Sequence, residues 1–176
     1  MDETLRPGTG IQTFEELIKL NGIYVDKTPY LAKMIEDVPK TWFLARPRRF
    51  GKSMTVSTFD AIFSGKQELF KGLAIEEKLD EEKFAPRPVI HLDLSKVTTS
   101  RGADYFDKSL GRKTNEIAQS LKVAVPKGLA SNEIFSNLIF RAYEKYGTKV
   151  AVLIDEYDTP VTDLLYDLPD EAQKVR

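Results

Sequence analysis

Apolar positions fall in short blocks separated by capping and turn residues, and the blocks change period along the chain. Thr13-Phe14-Glu15-Glu16 fits a capping box that opens a short helix through Leu17, Ile18 and Leu20, closing near Asn21-Gly22. Ile23-Tyr24-Val25 is a brief extended run. Thr28-Pro29 then starts a second helix with Tyr30, Leu31 and Met34 on its apolar stripe, proline being favoured at the first helical position. Thr41 to Ala45 reads as a strand, and Met54 to Phe63 as a helix that closes at Ser64-Gly65.

Glu76 to Lys83 is dense in charge and reads as a solvated helix or connection. Val89 to Ser95 predicts a strand at an edge or with an exposed end, because His91 and Asp93 interrupt its apolar residues. Two helices follow, with stripes Phe106, Leu110, Ile117, Leu121 and Phe135, Leu138, Ile139, Ala142, Tyr146. Gly147 ends the second and leads into the unbroken apolar run Val150 to Ile154, as a parallel strand buried on both faces requires. Asp158-Thr159-Pro160 starts a last helix. No internal repeat or low-complexity tract is present.

Between the strand at 41–45 and the helix after it lies Arg46-Pro47-Arg48-Arg49-Phe50-Gly51-Lys52-Ser53. Its end matches the phosphate-binding pattern GxxxxGK[S/T], with Arg46 where the first glycine would stand. Backbone amides at a helix N-terminus, Met54 included, favour an anion. Lys52 can reach terminal phosphates, and the Ser53 hydroxyl can join the shell of a magnesium ion. Taken alone, GKS reads equally as a basic surface loop. The strand at 150–154 ends in Asp155 and Glu156; ligands of parallel sheets bind beyond that end, so Asp155 suits magnesium and Glu156 the base that polarises water. The bland alternative is a polar stop to a buried strand.

A chain of 176 residues and 20.0 kDa accommodates one domain with a substantial core. A net charge of −1 offers nucleic acid no global attraction, which leaves local contacts such as Arg46, Arg48 and Arg49 as a third and weaker reading of the loop. The absence of cysteine excludes disulfides, and a single histidine disfavours zinc. The first eight residues lack the apolar core of a signal peptide and no run is long enough to span a membrane, so a soluble cytoplasmic protein is expected.

From Gly10 to Tyr166 the chain resembles the AAA-ATPase-like family, a P-loop domain typically followed by a PD-(D/E)XK nuclease-like domain. The motifs are Gly10-Ile11-Gln12 with Phe14, Tyr24-Val25-Asp26-Lys27-Thr28, Phe43 to Ser53 with Arg46 in its family position, and Leu153 to Asp158. The resemblance implies an α/β three-layer P-loop NTPase of the ASCE type with a mostly parallel sheet, in which residues 10–40 form a helical N-terminal segment and 41–176 the core. It implies ATP and Mg2+ as ligands, and a downstream nuclease-like domain as partner. It also places Tyr24 to Thr28 where several NTPase groups cover the nucleotide base, although a core tyrosine and valine followed by a helix cap explains that segment equally. A further strand with a sensor residue is expected after the acid-tipped strand at 150–154, so the chain reads as an N-terminal fragment, weak in binding and inactive alone. Two functions stay open: an ATPase acting on a downstream domain, and a non-hydrolysing nucleotide switch or scaffold.

Overall fold

The computed structural model describes residues 10–37, 41–47, 49–97, 102–126 and 128–167. Helices α1 (Phe14–Lys19), α2 (Thr28–Glu36) and α3 (Lys52–Phe63) precede strand β1 (Val89–Asp93). Then come α4 (Ala103–Ser120), α5 (Ser131–Tyr146), strand β2 (Ala151–Asp155) and α6 (Thr159–Asp167). The chain divides into two compact units, residues 1–86 and 87–176.

In the first unit the helix ends follow local rules. Thr13 Oγ1 accepts from the Glu16 amide at 3.4 Å, and Pro29 occupies the first turn of α2. After α1 the chain reverses tightly: the Gly22 amide donates to Leu17 O at 2.8 Å, and a Cβ at Gly22 would lie 2.2 Å from Leu17 Cδ1, so any larger residue would have to displace the Leu17 side chain. The core gathers Phe14, Leu31, Ala32, Ile62, Phe70 and Ile75, with Phe14 and Phe70 stacked at 4.8 Å. The charged run at 76–83 forms turns rather than a helix, and Ile75, Leu79 and Phe84 around it fill the core.

The Phe14 amide donates to Ser57 Oγ at 2.9 Å, docking the start of α1 on α3. Glu15 pairs with Lys19 at 2.6 Å and with Lys66 just past α3. These lysines lower the Glu15 carboxyl from 4.5 to about 2. A depressed pKa stabilises the fold above the unfolded value and ceases to do so as pH falls through the folded one. The pairs are partly exposed, so solvent screening limits them to about 1 kcal/mol. Wild type should therefore exceed Glu15→Gln in urea midpoint at neutral pH, with the gap closing between pH 4.5 and 2; a constant gap down to pH 2 would contradict the pairing.

In the second unit β1 and β2 form one parallel pair in register, from Val89 opposite Ala151 to Asp93 opposite Asp155. Ile90 and Leu92 are buried, Ile90 in a cluster with Ala118 of α4 and Leu138 and Ala142 of α5. Gly147 ends α5 in the left-handed conformation. Their register partners on β2 face outward, Val152 being 39% and Ile154 48% exposed. The face closed over β1 is thus open over β2.

The structure departs from the expected three-layer P-loop architecture. Among the described residues the structure is mostly helical, with a sheet of two strands only. Residues 41–45 belong to no strand, and Trp42 and Phe43 are 48% and 70% exposed. A run of apolar residues becomes a strand only where a ladder partner is available, and becomes a buried one only where helices cover both faces. Neither condition is met at 41–45, and β2 is covered on one side alone.

Candidate phosphate loop and acidic strand end

Helix α3 begins directly after Gly51, whose backbone is left-handed (φ 76°, ψ 27°). Glycine reaches this region without the strain a side chain brings. The first intrahelical bond runs from the Thr55 amide to Gly51 O at 2.9 Å, leaving the amides of Lys52, Ser53 and Met54 ahead of it. No side chain caps this end, and no acid lies in its first turn. Lys52 is half-buried and Ser53 exposed, while Met54 packs against the core.

Upstream, Phe50 N–H donates to Pro47 O at 3.3 Å, and Arg49 also holds a left-handed backbone, φ 66°. Such a conformation is strained for an arginine by about 1 kcal/mol or more, and strain of this kind clusters at functional sites. Arg46 is half-buried; Pro47, Arg49 and Phe50 are exposed. Arg48 lies outside the described residues.

Beside Gly51 the first unit forms a half-open cavity of about 260 Å3. Ile23, Tyr24, Val25 and Lys27 line it from the segment before α2, and Gly51, Met54 and Thr55 from the start of α3. Tyr24 meets Phe14 edge-on at 5.0 Å, and burial raises its hydroxyl above the usual value. Asp26 Oδ1 accepts from the Thr28 amide (2.8 Å) and hydroxyl (2.6 Å), and its Oδ2 from the Ala74 amide at 2.8 Å. Burial pushes the Asp26 carboxyl up, but the Ala74 and Thr28 donors outweigh it and leave it below its ordinary value. A core tyrosine, a helix start and a cavity wall therefore coincide in one segment.

In the second unit Asp155 ends β2 and is buried, accepting from the Glu156 amide at 3.0 Å. Glu156 is left-handed (φ 52°), and its Oε2 accepts from Thr159 Oγ1 at 3.3 Å. Opposite Asp155, Asp93 ends β1, with Oδ1 accepting from Ser95 and Oδ2 paired to Lys96 at 2.9 Å. Burial raises the Asp93 carboxyl, but Ser95 and Lys96 outweigh it and leave it below its ordinary value. In the sequence Asp93 reads only as a polar interruption of its strand, and the structure places it at the strand end opposite Asp155.

No cluster of three or more His, Cys, Asp or Glu residues fit to hold a metal occurs among the described residues. A serine hydroxyl such as that of Ser53 is a donor magnesium accepts when phosphate and water complete its octahedron. Ser53 belongs to the first unit and Asp155 to the second. No described helix is long and apolar enough to cross a membrane.

Comparison with known proteins adds a relative from Azotobacter chroococcum mcd 1, described as "Uncharacterized protein in vnfD 5'region" and 33% identical over 168 residues. That alignment covers 95% of this chain and 31% of the relative, so the chain spans about a third of the relative's length. No solved structure matches. The family described as "Predicted AAA-ATPase" matches residues 8–176, and over nearly its whole length the chain thus belongs to the AAA-ATPase-like family.

Proposed function

We propose that this chain binds ATP with magnesium at residues 46–54 and that the intact protein hydrolyses it to drive or regulate a further, nuclease-like domain. The observation that carries this reading is the start of α3: an uncapped helix end following a left-handed Gly51, with Lys52 and Ser53 in its first turn. Membership of the AAA-ATPase-like family supports it. Lys52 would meet the terminal phosphates, Arg46 and Arg49 would add positive charge, and Ser53 would supply an oxygen to magnesium. Bound magnesium would neutralise charge developing on the transferred phosphoryl group. Glu156 would take the proton of the attacking water.

The cavity beside Gly51 suits the nucleoside half of the ligand. Its walls are largely apolar, and its 260 Å3 lies just below the range of about 300–1,000 Å3 typical of drug-sized sites. A planar base needs such a slot, with few polar groups.

One observation favours the non-hydrolysing switch instead. The Glu156 carboxylate accepts from Thr159 of its own chain segment, a bond that occupies one of its oxygens and fixes its orientation along that segment. Calorimetry of the intact protein with magnesium–ATP, alongside phosphate release, separates the readings. Binding with turnover supports the ATPase, binding without turnover the switch, and no binding rejects both.

A further inference from the structure

We infer that Asp26 and Thr28 are positioning residues that hold the nucleoside-facing wall of the cavity in place before any ligand arrives. The inference rests on the nucleotide reading of the same site. Two wall residues, Ile23 and Val25, are 52% and 70% exposed and have little packing of their own to fix them. Their position is set by what flanks Val25. On one side Tyr24 is seated against Phe14. On the other, the Asp26 carboxylate takes the Ala74 amide, 48 residues away, at 2.8 Å, and both donors of Thr28.

Thr28 extends the clamp inward. Its hydroxyl donates to Asp26 and accepts from the Ile75 amide at 3.1 Å, and both Thr28 and Ile75 are completely buried. The wall is therefore tied to the core of the unit through two successive backbone amides, Ala74 and Ile75. Neither Asp26 nor Thr28 lies among the residues of the phosphate loop. Loss of the clamp should loosen the wall and leave the α3 N-terminus, which is held by α1 through Ser57, in place. Binding would then have to order the wall, and that cost falls on ligands with a nucleoside and spares a bare phosphate chain.

The test compares the affinities of magnesium–ATP and of inorganic tripolyphosphate for the intact protein by calorimetry. Wild type should bind both. Asp26→Ala and Thr28→Val should weaken ATP about tenfold with tripolyphosphate unchanged, the cost of ordering a freed wall segment. Thr28→Ser, which restores the hydroxyl, should bind ATP like wild type. Should Asp26→Ala fail to fold, Asp26→Asn keeps one acceptor oxygen and the same shape, and should show a smaller loss confined to ATP. Equal losses for both ligands, or an unchanged ATP affinity in the folded variants, overturn the clamp. A wild type that binds tripolyphosphate but gains nothing from the nucleoside also overturns it, leaving the phosphate loop intact. A wild type that binds neither ligand overturns the nucleotide reading and the clamp with it.

Discussion

Lys52→Ala in the intact protein is expected to weaken magnesium–ATP binding about 100-fold, the loss of one or two hydrogen bonds to a charged phosphate. The lysine sits in the first turn of α3, next to amides that precede the first intrahelical bond, so its ammonium adds a full charge where the helix end offers only partial ones. Replacement should cost little stability, because Lys52 is the first residue of the helix and alanine is the best helix former. Calorimetry at fixed magnesium checks the affinity, and a melting curve checks the fold. Equal affinity in wild type and variant would remove the loop from the nucleotide site.

Glu156→Gln should retain ATP and lose turnover by about 100- to 10,000-fold, the range over which a positioned base contributes. The amide keeps the shape of the side chain and can still accept from Thr159, so the left-handed turn at the end of β2 should persist. It cannot take a proton. Phosphate release under saturating ATP reads the step, with binding measured beside it. Unchanged turnover would move the base to another residue; loss of binding as well as turnover would make Glu156 a structural residue of the strand end.

Both experiments address residues that the sequence alone singles out. A glycine, a lysine and a serine at a helix start, and two acids ending an apolar run, are recognisable because their meaning is local. The same holds for the helices. Thr13, Pro29, Ser64-Gly65 and Gly147 mark ends that the structure places within a residue or two, since caps are satisfied by atoms a few positions away. The family also follows from these motifs, and the match over residues 8–176 bears it out.

What local pattern could not decide was which apolar runs become strands and how far a sheet extends. Thr41 to Ala45 has the composition of a strand yet belongs to none, and Val152 and Ile154 face outward from a run that reads as wholly buried. Strand formation depends on amides and carbonyls of another segment, and burial on helices that pack across it, so both are settled in three dimensions. The clamp at Asp26 belongs to the same class. Its Asx turn to Thr28 is a local feature, but its partner Ala74 lies 48 positions downstream, where no local pattern points back to Asp26. The sequence by itself determined the family, the helix ends, and the positions of Gly51, Lys52 and Ser53 at a helix start and of the acids at 155 and 156 at a strand end. Only the tertiary structure decided that Ile23 to Lys27 would wall a cavity beside Gly51, because that depends on bonds and packing between segments far apart in the chain.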